Sequence, residues 1–263
     1  MNESAFDHYF KHIDDVEGWL SKTTAILSNR LMRHQSTGGL VGPICEIGIH
    51  HGKYFIALAS ELRRDEKAIA IDLFENQEEN IDHSGMGDRH MFEGNVTKFL
   101  NPACVITLHA NSTRLSPGAI SKYGKIRFFS IDGGHTEAIT ANDLRLAERT
   151  IATGGIVALD DILHPSWTGV ISGYVRYKRE GGTLRPFALV PNKLFLTDGS
   201  SVASYRSFMR SEFPHLTDQQ DREFIGDMVD VFRELLPARP RWTSRFKTKV
   251  RKRVKKIKRL MRH

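Results

Sequence analysis

The chain has 263 residues, 40% of them hydrophobic, enough to bury one sizeable core, and 38 Lys or Arg against 31 Asp or Glu give a net charge of +7. That charge is segregated: residues 239–263 hold 13 Lys or Arg and no acid, which leaves 25 basic against 31 acidic residues, or −6, for residues 1–238. An acidic body with a basic end disfavours a uniformly basic nucleic-acid binder; two cysteines, Cys45 and Cys104, in apolar segments exclude a disulfide framework.

The opening MNESAFDHYFKHIDD is acidic and no apolar run approaches the ~18 residues of a spanning helix, so a cytoplasmic protein without signal peptide is expected. Residues 4–35 place Phe6, Phe10, Ile13, Trp19, Leu20, Ile26, Leu27 and Leu31 at helical spacing, and QSTGGLVGP breaks the pattern. PICEIGI then reads as a strand ending in glycine, and KYFIALASELRR as the helix after it. KAIAIDLF, ACVITLHA, KIRFFSIDG and GGIVALDDI supply four further strands, with helical stretches such as TEAITANDLRLAERTIA between them.

Apolar runs without strict alternation mark strands buried on both faces, and their alternation with helices predicts a doubly wound α/β fold with a mostly parallel sheet. After the helix WTGVISGYVRYKREG, the strands LRPFALV and NKLFLT are joined by only Pro-Asn, too short for a parallel crossover, so the last pair is antiparallel. The region 200–236 reads as helical. The predicted divisions are leading helices (1–40), a central domain (41–200), a helical region (201–238) and a basic tail (239–263).

Ligands of such sheets bind beyond the carboxyl ends of the strands. EIGIHHG there carries Gly48 and Gly52 in Gly-x-x-x-Gly spacing, which lacks the Gly-x-Gly-x-x-Gly of a dinucleotide site. Asp72 ends the second strand, where an acid accepts hydrogen bonds from both hydroxyls of a ribose. Glu46, Gly48, Gly52 and Asp72, in order on two successive strands, form the candidate cofactor site.

On these residues the chain resembles the class I S-adenosylmethionine-dependent methyltransferases, over roughly residues 40–198: Glu-x-Gly-x-x-x-Gly on the first strand, an acid ending the second, and a Rossmann-like seven-stranded sheet with an antiparallel last pair. IDGGHTEA followed by GGIVALDDILHP looks like the small-molecule and sugar O-methyltransferase branch, which includes macrolide-sugar methyltransferases and is related in layout to catechol O-methyltransferases. The resemblance implies that Glu46, Gly48 and Gly52 approach the methionine part of S-adenosylmethionine and that Asp72 holds the ribose. It further implies that Asn111 and Ser112 lie near the adenine and that Asp132 borders cofactor and metal. Lys53 departs from the small residue common in the family. The implied acceptor is a glycan or other small hydroxylated molecule, and copies of relatives often associate through their leading helices.

Asp132 closes the fourth strand, and Asp160 with Asp161 closes the fifth. Three neighbouring carboxylates require a positive partner, and a hard divalent cation such as Mg²⁺ takes oxygen ligands of this kind; alternatively, one of the paired aspartates caps the following segment and the other faces solvent. His135, three residues after Asp132, titrates near neutral pH. Spacing alone favours a structural histidine, whereas the resemblance implies a general base that takes the proton of the attacking hydroxyl. His164 is a second candidate, His50 and His51 are expected to shape the cofactor site, and His109 is expected in the core or at a strand end. Gly-x-Ser-x-Gly, P-loop and His-Glu-x-x-His motifs are lacking, and the Asp/Asn-Pro-Pro-aromatic stretch of nucleic-acid amino-methyltransferases is replaced by Asp-Gly-Gly-His.

In the basic tail, Trp242, Phe246, Val250, Val254, Ile257 and Leu260 fall 4, 4, 4, 3 and 3 apart, along one face of a helix otherwise covered by Lys and Arg. This pattern suits an anionic membrane surface. A solvated tail and nucleic-acid binding are the alternatives; a nucleic-acid binder would leave the apolar stripe unused.

Overall fold

In the computed structural model, which describes residues 3–235, each of the seven apolar runs is a strand. They are β1 (Ile44–Ile47), β2 (Ala68–Asp72), β3 (Val105–His109), β4 (Ile126–Ile131), β5 (Ile151–Asp160), β6 (Arg185–Val190) and β7 (Lys193–Thr197). The helices are α1 (Ala5–Lys11), α2 (Lys22–Thr37), α3 (Lys53–Ala59), α4 (Arg89–Phe99), α5 (Pro117–Ser121), α6 (Glu137–Thr150), α7 (Thr168–Arg179) and α8 (Val202–Glu212).

Strands β1 to β5 pair in parallel, and β7 inserts antiparallel between β5 and β6. Because successive strand residues point to opposite faces, Phe128 joins a core with Leu27, Phe55, Phe92 and Met209, while Phe129 joins a second core with Leu144, Tyr174 and Tyr177. Helices α1 to α4 and α8 cover the first face, and α5 to α7 the other. Pro191 and Asn192 make the β6–β7 turn, with Asn192 at φ +66°, the combination of a type II turn.

Two further strands, β8 (Thr217–Phe224) and β9 (Asp227–Phe232), extend the sheet to nine in the order β3-β2-β1-β4-β5-β7-β6-β9-β8. The expected helical reading of 200–236 therefore holds only for α8, and the seven-strand expectation gains a hairpin. Its turn, Ile225-Gly226, has φ of +52° and +78°, the hand a two-residue hairpin requires. The fully buried Asp230 on β9 fixes the hairpin against α8: Arg206 and Arg210, one turn apart, donate to its Oδ1 at 2.9 and 2.7 Å.

The basic tail, 239–263, and the end of the 201–238 region lie outside the described residues. Among the described residues, no helix is long and apolar enough to cross a membrane.

Candidate active site

A cavity of about 620 Å³ opens at the carboxyl ends of β1, β2, β4 and β5, between the loop over residues 77–87 and Trp167. Its floor begins at Gly48. There φ is +81°, and a Cβ would stand 1.8 Å from the carbonyl oxygen of Asp132, so β1 and β4 approach this closely only with glycine. Asp72 binds the same turn from β2: its Oδ2 accepts from the amides of Ile49 (2.5 Å) and His50 (2.9 Å), and its Oδ1 from that of Phe74 (2.7 Å).

Gly48, Asp72, Asn111, Ser112, Asp132, Asp160 and Asp161 all line the cavity, as do His50, His135 and His164. Glu46 and Gly52 lie behind its wall. Glu46 is buried, with Oε1 accepting from Ser130 Oγ at 2.9 Å and Oε2 without a partner; burial pushes its carboxyl up to about 8. Gly52 caps α3 against the Phe92 ring. The side chain of Lys53 lies beside Gly18 with its ammonium 4.0 Å from Asp14, away from the cavity, and His109 is an exposed strand end. Asn111 is held by Glu79, to whose Oε2 it donates at 2.8 Å.

At the carboxyl ends of β4 and β5, His135 is gripped from both sides. Its Nδ1 lies 3.0 Å from Asp82 Oδ2, its Nε2 lies 3.0 Å from Asp161 Oδ2, and its ring stacks on Trp167 at 4.3 Å and 19°. Burial disfavours the imidazolium, but the bonds to Asp161 and Asp82 outweigh it and push the ring up to about 9. Asp161 has φ +55°, and its Oδ1 accepts from Asn192 Nδ2 at 2.7 Å. Burial, and then the Asp160 carboxylate, push the Asp132 carboxyl well above the usual range.

The expected set of three carboxylates around a cation does not come together in that form. Asp160 is bound to the ammonium of Lys193, and the donor atoms that converge to within 4.8 Å of one another belong to Asp132, His135 and Asp161. Two carboxylates with free lone pairs still fit a divalent cation.

Asp82, Trp167, Asn192 and Lys193 were not legible as site residues. Asp82 lies in a loop without periodicity. Lys193 left one usable signal, since a lysine opening the apolar run LFL is rarely buried without a carboxylate partner.

The strand order, the glycine turn under an acid from the second strand, and the acid-rich end of the fourth and fifth strands are the layout of the class I, Rossmann-like methyltransferase fold. Residues 45–162 match the family described as "Methyltransferase domain", and solved O-methyltransferases share the fold. The solved O-methyltransferase TomG from Streptomyces achromogenes, in complex with SAM, is 16% identical over 76% of this chain and 92% of its own, with a TM-score of 0.53. An O-methyltransferase from Bacillus cereus in complex with SAH is 14% identical over 75% and 92%, with a TM-score of 0.53. The O-methyltransferase NovP is 14% identical over 66% and 79%, also with a TM-score of 0.53. No curated protein matches the chain.

Proposed function

We propose that the chain is an S-adenosylmethionine-dependent O-methyltransferase, which moves a methyl group from S-adenosylmethionine to a hydroxyl of a sugar, glycan or other small acceptor. The observation that carries this reading is His135, fixed between Asp82 and Asp161 on the wall of the same cavity as Gly48 and Asp72. Transfer to an alcohol needs a group that takes the hydroxyl proton as the oxygen attacks, and an oriented imidazole beside the strand ends meets that need.

In this reading Gly48, Asp72, Asn111 and Ser112 contact the cofactor, and Glu46 and Gly52 support that wall from behind. The carboxylate of Asp82 keeps a proton on Nδ1 of His135, and once the proton that Nε2 shares with Asp161 is lost, Nε2 can accept the proton of the acceptor. Asp132 and Asp161 would hold a divalent cation such as Mg²⁺, which when bound lowers the pKa of a coordinated hydroxyl. Trp19 and Trp167, with the polar side chains of Gln77, Asn80 and Ser84, give the cavity the aromatic faces and hydrogen-bonding groups that sugar rings use.

Calorimetric titration with S-adenosylhomocysteine, with Mg²⁺ and with EDTA, tests the cofactor part, and Asp72→Ala should weaken binding roughly tenfold or more. Absence of binding under every condition would end the reading. A mass-spectrometric screen for methyl transfer to candidate glycans tests the acceptor class.

The basic segment 239–263 further supports contact with an anionic membrane surface, which fits a lipid-linked or surface glycan. The described chain ends close to the cavity: the Leu235 amide donates to Thr23 Oγ1 at 2.8 Å, and Ser21 Oγ donates to Glu234 at 2.6 Å, two residues from Trp19 on the cavity wall. The intact chain should co-sediment with anionic vesicles, and a version ending at Leu236 should not. Equal failure of both to bind would remove the membrane from the proposal.

A further inference from the structure

The geometry points to Lys193 as a resident cation of the reacting end, which holds Asp160 out of the ligand set and leaves Asp132 and Asp161 as the carboxylates open to a divalent cation. This deepens the proposed reading and rests on its cation contact.

The pairing is built into the sheet. Asp160 and Lys193 are direct partners in the antiparallel β5–β7 register, so their side chains meet on one face, and a slip of one residue would send Lys193 to the opposite face. Lys193 is 2% exposed and Asp160 6% exposed. The ammonium binds Asp160 Oδ2 and sits 4.4 Å over the ring of Tyr54, itself buried, whose hydroxyl is paired with Ser28 Oγ at 2.6 Å. Asp160 Oδ1 accepts from Asn192 Nδ2 at 2.8 Å and from the Asp161 amide at 2.9 Å. Both oxygens of Asp160 are therefore engaged.

A divalent cation on Asp160 would have to displace a buried ammonium already bonded to that carboxylate, or bind beside it against like-charge repulsion. Asp132 has no cationic side chain bonded to it, and the cation beside Asp161 is the His135 ring, which unlike an ammonium can shed its proton and join Asp132 and Asp161 as a ligand. The neighbouring Asn192 bridges the two halves, donating to Asp160 Oδ1 and to Asp161 Oδ1 at 2.7 Å, and so holds Asp161 turned toward His135. One of three acids at the strand ends is thus neutralised by the fold itself, and the remaining two carry the cation contact.

Removing the lysine should therefore improve metal binding, the reverse of what loss of a purely structural group does. The probe is Mn²⁺ alone on the intact chain, followed by the electron paramagnetic resonance signal of the free ion. Lys193→Gln releases Asp160 and should tighten Mn²⁺ by roughly tenfold or more. Asp132→Asn and Asp161→Asn should each weaken it by a similar factor. Asp160→Asn leaves a buried ammonium unpaired and is prone to unfold, so the decisive companion is the double variant Asp160→Asn/Lys193→Gln, which removes both charges and should bind Mn²⁺ within about twofold of the wild type. Two results would overturn the proposal: a double variant weakened as strongly as Asp132→Asn, or Lys193→Gln that binds no better than the wild type, including the case in which neither binds. S-adenosylhomocysteine binding, measured on the same samples, reports folding and the methyltransferase reading independently of the metal.

Discussion

Gly48→Ala should abolish S-adenosylhomocysteine binding and lower the unfolding free energy by upwards of about 3 kcal/mol. The added Cβ would stand 1.8 Å from the Asp132 carbonyl oxygen and 2.4 Å from its carbon, on a backbone already at φ +81°. Neither side can retreat. The Gly48 amide donates to Ile71 O at 2.9 Å and the Asp132 amide to Ile47 O at 2.8 Å, so the end of β1 is pinned to β2 and β4 at once. Any shift that relieves the clash also moves Asp132 and the amides of Ile49 and His50 that Asp72 binds, and with them the wall proposed to hold the cofactor. Gly52→Ala is the control. Its Cβ would meet the Phe92 ring at 2.8 Å, a contact with one side chain and not with backbone, so its cost is smaller although its φ of +89° still strains alanine. Urea denaturation and calorimetry of both variants separate the two positions, and wild-type binding by Gly48→Ala would mean that this turn does not shape the cofactor site.

The contrast between these positions also marks what the sequence made legible. The seven runs from PICEIGI to NKLFLT could be read because strands covered on both faces must be apolar throughout, and β1, β4 and β7 are buried along their whole length. The β8–β9 hairpin could not. TDQQDREF is an edge strand, exposed along most of its length, whose place depends on the long-range clamp of Arg206 and Arg210 on Asp230 and not on any apolar pattern. The site divides in the same way. Asp72, Asp132, Asp160 and Asp161 were visible because strand ends in a parallel sheet are fixed by topology, so position alone brings them to one rim. What position could not give was charge pairing: that Lys193 answers Asp160, and that Asp82, from a loop without periodicity, answers His135.

That second pairing makes His135 the most informative single residue. His135→Gln should lower methyl transfer by about 10²–10⁴-fold while leaving the affinity for S-adenosylhomocysteine unchanged, because the imidazole faces Asp161 and Trp167 at the reacting end and not the glycine turn. Asp132→Asn, at the border of both halves, should impair both quantities. The wild-type rate should climb with pH toward about 9, because only the neutral ring accepts a proton and the folded protein holds it charged up to about that value; the glutamine variant should lose this limb. Stability carries the same signature without any acceptor. A ring raised from about 6.5 to about 9 contributes stability that is fully present below about pH 6.5 and is lost as pH rises through about 9. Between those values the wild type should therefore lose thermal stability that His135→Gln does not, and the Cε1 proton resonance of His135 should titrate near 9. A titration near 6.5 would show that Asp82 and Asp161 do not grip the ring in solution. Turnover unchanged in His135→Gln would remove the base assignment and leave Asp132 and Asp161 as the groups on which the chemistry depends.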